Sequence, residues 1–182
     1  KLAPALAAGC TVIAKPASET PLSGLALLQL GREAGIPPGV INGVIAEDTQ
    51  TAGRLLSGHP LIRKLSFTGS TRVGRLLMEQ AAGNLTRLSL ELGGHAALLM
   101  LPEAGIEKTV AGAIASRFRN AGQTCICVNR MFIPKARFAA VLQELRLQLQ
   151  RMRLGHGLDP ATTLGPMISP AARLNLMQRL AK

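Results

Sequence analysis

The stretch Leu65-Ser66-Phe67-Thr68-Gly69-Ser70-Thr71-Arg72-Val73-Gly74-Arg75 joins an apolar run to a helical pattern through one glycine. Leu65 to Thr68 reads as a short strand, and Gly69 to Ala82 as a helix. A strand that runs straight into a helix is half of a β-α-β unit, and the same arrangement recurs on both sides. Upstream, Ala8 to Lys15 is β-branched and apolar, entered through Gly9 and closed by Pro16, and reads as a first strand. Ser18-Glu19-Thr20-Pro21 starts a helix over Leu22 to Ala34, which Gly35 and Pro37-Pro38 stop. Val40 to Ile45 is a second strand, Thr49 to Gly58 a second helix, and Leu88 to Leu92 a fourth strand. This alternation predicts an α/β fold: a parallel sheet flanked by helices, with right-handed crossovers.

The pattern changes after Gly93-Gly94. Ala96 to Leu101 reads as a strand, Ile106 to Arg119 as a helix, Arg130 to Ile133 as a strand and Ala136 to Met152 as a long helix. A Gly/Pro loop through Gly155, Gly157, Pro160 and Gly165-Pro166 leads to a last helix near Ser169-Pro170 that runs into Lys182. The Gly93-Gly94 pair is therefore the expected boundary between two domains, 1–93 and 94–182.

The chain has no Trp or Tyr and only four Phe, so aliphatic side chains must fill its core. No apolar run reaches the roughly 20 residues of a membrane-spanning helix. Lys1 followed by apolar residues has the outline of a signal peptide, but the flow into Lys15-Pro16 favours a globular strand. Lys1 in place of Met, and Lys182 inside a helical pattern, are what an internal segment of a longer protein would show. Three cysteines without repeated spacing argue against a disulfide scaffold and for a reducing, cytoplasmic compartment. Three scattered histidines form no metal-ligand cluster. The net charge of +11 is concentrated in residues 94–182, with twelve basic against four acidic groups. Without Trp or Tyr to stack bases and without a reader motif, that charge does not make a nucleic-acid binder; a basic face fits it better.

Four short motifs carry chemistry, each with a plainer alternative. Lys15-Pro16-Ala17-Ser18 follows the carboxyl end of a strand, where parallel sheets bind ligands. Lys15 there can reach a ribose or phosphate, or be an ordinary exposed lysine with Ser18 as a helix cap. Gly69-Ser70 opens a helix whose first N–H groups favour an anion, or is simply an N-cap turn. Glu91 ends an apolar strand ahead of Leu92-Gly93-Gly94. Desolvation there would raise its pKa and suit a general base, but Arg87 on the same face is an available salt-bridge partner. In Phe118-Arg119-Asn120-Ala121-Gly122-Gln123-Thr124-Cys125-Ile126-Cys127, a polar turn presents the thiol of Cys125 as a nucleophile, or else the cysteine packs as a small apolar side chain.

Lys-Pro after a strand, Phe-Thr-Gly-Ser, Glu-Leu-Gly-Gly and Gly-Gln-x-Cys occur in that order and spacing along the whole chain. The sequence thereby resembles the aldehyde dehydrogenase superfamily, and within it the succinate-semialdehyde dehydrogenase branch. The resemblance implies a Rossmann-like cofactor domain ending near residue 93 and the first part of a second, α/β catalytic domain. It implies that Cys125 is the nucleophile, Glu91 the general base, and that Lys15, Ser18, Gly69, Ser70 and Leu92 bind NADP or NAD. Arg119 would bind the carboxylate of a small aldehyde substrate. Ser18, small and neutral where NAD-restricted relatives carry Glu, leaves room for a 2′-phosphate. Cys127 would be a redox partner of Cys125, or a packing residue. The intact protein is expected to be a homo-oligomer, a dimer or tetramer, without nucleic acid or membrane partners.

Some positions depart from the family pattern: Arg72 in place of Glu, His95-Ala96-Ala97, and Ile45-Ala46 in place of a small Thr-Gly. The family's oxyanion-hole Asn and nicotinamide-ribose Glu fall outside residues 1–182, so this stretch alone is expected to turn over poorly. The alternative is a catalytically dead remnant or an interaction module that keeps the fold.

Overall fold

The computed structural model describes residues 1–181; the sequence-read continuation of the last helix into Lys182 lies outside them. The chain forms two compact units, Lys1–Glu91 and Leu92–Lys182.

In the first unit, helices and strands alternate: α1 (Leu2–Ala7), β1 (Val12–Ala14), α2 (Pro21–Glu33), β2 (Ile41–Gly43), α3 (Thr49–Gly58), β3 (Lys64–Thr68), α4 (Thr71–Ala81) and β4 (Arg87–Glu91). β1 pairs with β2 and β3 with β4, both parallel. The expected parallel α/β layering is present, but hydrogen bonding runs in strand pairs rather than one four-stranded ladder. The first pair is short because its ends are clipped: Gly9 (φ 73°) and Gly39 (φ 84°) turn the chain just ahead of β1 and β2, and Pro16 follows β1. The strand read over Ala8 to Lys15 thus shrinks to three residues. The residues before it form α1, a helix that the run of Leu, Ala and Pro did not announce.

The helices are held by local devices. The Asp48 carboxylate caps α3, accepting from the N–H groups of Gln50 (2.9 Å) and Thr51 (3.1 Å). Hydrogen bonding to Thr51 is the main cause that holds this carboxyl below the usual Asp range, with the Arg54 charge adding to it. Ser57, fully buried, sits 2.8 Å from both the Gly53 carbonyl and the Gln80 side-chain amide, tying α3 to α4. α2 lies so close over the end of β1 that a Cβ on Gly24 would stand 2.8 Å from the Pro16 ring.

The second unit contains β5 (Ala96–Leu99), α5 (Ile106–Arg117), β6 (Val128–Phe132), α6 (Phe138–Gln150) and α7 (Pro170–Leu180). β5 and β6 are parallel, with a register break: Ala96 faces Val128 but Ala97 faces Arg130, so Asn129 bulges out. The core is Met100 with Val110 of α5 and Val141 of α6, packed by Ile106, Ile114, Met131, Ile133 and Leu145. Aliphatic side chains alone form this core, as the scarcity of aromatics requires. α5 ends at Arg117, two residues short of the periodic reading, because the backbone changes hand soon after it.

Val110 is completely buried in the second unit's core. Val110→Ala should cost about 2 kcal/mol, the transfer energy of the lost methyl groups plus a small cavity term. Denaturant unfolding should show this as a lower midpoint with an unchanged slope.

Candidate active site

The first unit gathers the predicted cofactor residues at the carboxyl ends of its strands. At the second pair, Thr68 faces Glu91 across the ladder, and the Gly69 N–H donates to the Glu91 carbonyl at 3.0 Å. The backbone of Gly69-Ser70 and the end of β4 therefore form one edge. The Phe67 ring folds over the Gly69 Cα, so any added Cβ would force that ring to move aside. Ser70 is the N-cap of α4, and its Oγ accepts from the Val73 N–H at 3.3 Å. The plainer reading of Ser70 is thus true of it. The hydroxyl proton stays available to an anion, beside the N-terminal N–H groups of an eleven-residue helix.

Lys15 and Ser18 lie past the carboxyl end of the other pair. Lys15 is half-buried and its Nζ donates to the Pro16 carbonyl at 3.0 Å, while Ser18 is exposed. The desolvation expected of Glu91 is absent. Glu91 is the exposed end of β4, past the half-buried run Leu88–Leu90. It lies within electrostatic reach of the Lys1 ammonium, whose pKa burial lowers and the Glu91 charge partly restores. Leu92, half-buried, opens the second unit.

The thiol loop belongs to the second unit. Asn120 (φ 51°), Ala121 (φ 55°) and Gly122 (φ 76°) are three successive residues in the left-handed region. That conformation costs roughly 1–2 kcal/mol for each residue with a Cβ. Helical continuation is impossible through it, and the chain swings into Gln123-Thr124-Cys125. Cys125 is exposed. Cys127 is 1% exposed, with its Sγ 2.7 Å from Thr124 Oγ1 and 4.0 Å from the Arg119 carbonyl. Both thiols are free. Arg119 is exposed and, with Ile114, Phe118, Arg151 and Met152, lines a cavity of about 430 Å³. Two arginines and no carboxylate line this cavity.

Two further residues build the loop. The bulged Asn129 donates its amide to the Gly94 carbonyl (3.3 Å) and the Cys127 carbonyl (3.2 Å), stitching the Gly93-Gly94 strand entry to the thiol loop. A Cβ on Gly94 would stand 3.2 Å from the Cys125 carbonyl, so a larger residue there would press the thiol loop by a few tenths of an ångström. Sequence reading began the strand at Arg130 and gave Asn129 no role; a polar amide at the edge of an apolar strand was the available signal. Thr124 was read only as part of a polar turn. Among the described residues no cluster of His, Cys, Asp and Glu can hold a metal, and no helix is long and apolar enough to cross a membrane.

Comparison with known proteins follows the same lines. The model of the aldehyde dehydrogenase family matches residues 1–182, and the chain belongs to that family. It is 46% identical over 181 residues to an NADP-dependent succinate-semialdehyde dehydrogenase of Escherichia coli, covering 100% of this chain and 37% of that one. It is 48% identical over 172 residues to a 3-sulfolactaldehyde dehydrogenase of Pseudomonas putida, covering 94% and 35%. A glutarate-semialdehyde dehydrogenase of the same species is 44% identical over 180 residues, covering 99% and 37%. Among solved structures, an E. coli NADP-dependent enzyme superposes with a TM-score of 0.94 at 46% identity, over 100% of this chain and 37% of that chain. A betaine aldehyde dehydrogenase of Staphylococcus aureus in complex with NAD+ gives 0.96 at 33% identity, over 100% and 36%. The chain thus spans somewhat over a third of the length of these relatives.

The different exposure of the two thiols is directly measurable. Under native conditions iodoacetamide should modify Cys125 at least about tenfold faster than Cys127, since a buried thiol reacts only when its surroundings open. Fragment-ion mapping of the peptide Asn120–Arg130 separates the two sites; equal rates would mean that Cys127 is not packed as described.

Proposed function

We propose that this chain is the thiol-bearing part of an NAD(P)-dependent dehydrogenase that oxidises an anionic aldehyde to its carboxylic acid. The single observation that carries the proposal is the exposed Cys125 on a polar, left-handed turn, in a chain of the aldehyde dehydrogenase family. In this reading the Cys125 thiolate attacks the aldehyde carbon, forming a C–S bond and a thiohemiacetal. The Cys125 backbone N–H, which donates to no described residue, faces the developing oxyanion. A bound nicotinamide would supply the hydride acceptor for this step, and Cys125 would then carry the acyl group as a thioester. Glu91, exposed at the end of β4, acts as general base for the water that hydrolyses the thioester and returns the free thiol.

The residues of the first unit fit a dinucleotide. The covered glycine turn and the free N–H groups at the start of α4 suit a pyrophosphate, with the Ser70 hydroxyl as a further donor. Lys15 and Ser18 would hold the adenosine ribose, and Leu92 would line the nicotinamide end. Exposed Ser18 beside a lysine accommodates a 2′-phosphate, so NADP is the favoured cofactor.

The substrate class follows from charge. Three of the relatives named above, at 44–48% identity, are named for succinate semialdehyde, glutarate semialdehyde and 3-sulfolactaldehyde, each with an anionic far end; the betaine aldehyde enzyme, named for a cationic aldehyde, is 33% identical. Arg119 and Arg151 on one cavity supply the matching cations, and a guanidinium fork suits a carboxylate. Succinate semialdehyde is the first choice. The intact protein is read as a cytoplasmic homo-oligomer, a dimer or tetramer. Cys127 acts as a redox partner only if its thiol first leaves the contact with Thr124 and reaches Cys125.

Two measurements on the full-length protein test this. Cys125→Ala should lower kcat with succinate semialdehyde and NADP by at least about a thousandfold, and Arg119→Leu should raise KM about 10–100-fold for that substrate while sparing simple aliphatic aldehydes. Retained turnover without Cys125 would sink the reading. In addition, Ser18→Glu should reduce the NADP-to-NAD ratio of kcat/KM at least about tenfold, through repulsion of the 2′-phosphate; an unchanged ratio would remove Ser18 from cofactor choice.

A further inference from the structure

The amide of Gln123 has both ends engaged with backbone. Its Nε2 donates to the Asn120 carbonyl at 3.0 Å, the same oxygen that accepts from the Gln123 backbone N–H at 3.1 Å. Its Oε1 accepts from the Ile168 N–H at 2.9 Å, across 45 residues of chain. These partners also fix which way the amide points, because a carbonyl can only accept and a backbone N–H can only donate. Gln123 itself is half-buried, while both of these hydrogen bonds lie at the exposed surface.

The location matters more than the bonds themselves. Asn120, Ala121 and Gly122 are left-handed, and two of them carry a Cβ that disfavours that conformation. Left to itself, such a run relaxes toward ordinary backbone angles. The Gln123 side chain closes it at one end through Asn120. At the other end it anchors the run to the segment leading into Ser169, whose hydroxyl caps α7 by accepting from the Ala172 N–H at 3.1 Å. Cys125 lies two residues beyond the brace.

We propose that Gln123 is a positioning residue: its amide holds the strained turn so that the Cys125 thiol is presented in one place. The proposal rests on the reading of Cys125 as the nucleophile. Gln123 touches neither substrate nor cofactor in it; it acts only through the turn. A displacement of about 1 Å at a reacting atom can cost on the order of a hundredfold in rate.

The test uses the full-length protein and three variants. Gln123→Leu removes both bonds. Gln123→Glu keeps an acceptor for the Ile168 N–H but sets a carboxylate against the Asn120 carbonyl. Ala121→Gly relieves the left-handed strain, since glycine takes that conformation freely. Three quantities are measured: kcat and KM for succinate semialdehyde, the pH profile of Cys125 alkylation by iodoacetamide, and the thermal midpoint.

Gln123→Leu should lower kcat about 10–100-fold with KM within about twofold, and should alter the rate and pH profile of Cys125 alkylation. Gln123→Glu should fall between it and the parent. Adding Ala121→Gly to Gln123→Leu should recover part of the lost kcat. Unchanged kcat and an unchanged alkylation profile in Gln123→Leu would overturn the proposal. So would a lowered thermal midpoint with both quantities preserved, which is what a merely structural glutamine predicts. Alkylation needs no turnover, so it decides the brace even if Cys125→Ala shows that the nucleophile lies elsewhere.

Discussion

Parallel pairing is the constraint on which the rest of this structure depends. Two parallel strands cannot be joined by a tight turn; the chain must return over one face before it can start again in the same direction. Each connection therefore carries at least one helix: α2 between β1 and β2, α4 between β3 and β4, α5 between β5 and β6. All strand exits of a pair fall at one edge, and all entries at the other. Lys15, Gly69-Ser70 and Glu91 stand at exits. The Gly94 and Cys125 segments stand at entries, joined there by the amide of Asn129. The first unit's glycine turn and the second unit's thiol segment thus fall at opposite kinds of edge by the direction of the strands.

The alternation of apolar runs with helical periods was enough to read this layering, because each crossover helix is long and has clear stops such as Gly35 and Pro37-Pro38. Boundaries were less legible. The Ala8–Lys15 run is β-branched only in its second half, and Leu2–Ala7 coils into α1 because its Leu and Ala favour a helix and Pro4 falls in the first turn, where proline is tolerated. The extent of each sheet was not legible either. Periodicity says that a strand exists, but ladder partners are set by which backbone edges meet in space.

The site shows the same division. Residue types singled out Cys125, Lys15, Ser70 and Arg119 as candidates. Environment did not follow from type. Glu91 was read as desolvated because its strand is apolar, yet the last residue of a strand projects past the packed rungs and stays in water. Cys127 differs from Cys125 by two positions and by nearly complete burial. That difference arises from the left-handed run and the contact with Thr124, neither of which has a sequence signature beyond Gly122. Asn129 reaches the Gly94 carbonyl and Gln123 the Ile168 N–H, both distant in the chain, so these partners became visible only with coordinates.

The bulge at Asn129 has a consequence for length. In a regular strand, facing alternates residue by residue, and one additional residue reverses the phase of everything behind it. Ahead of the bulge, β5 and β6 meet at Ala96 and Val128; beyond it they meet again one step out of count. Deleting any one residue between Cys125 and Arg130 would restore even counting and erase the bulge. It would also turn the side chains leading into β6 to the opposite face. The distance from thiol to strand is therefore a matter of parity, and descendants of this chain can exchange residues in the loop far more easily than they can add or lose one.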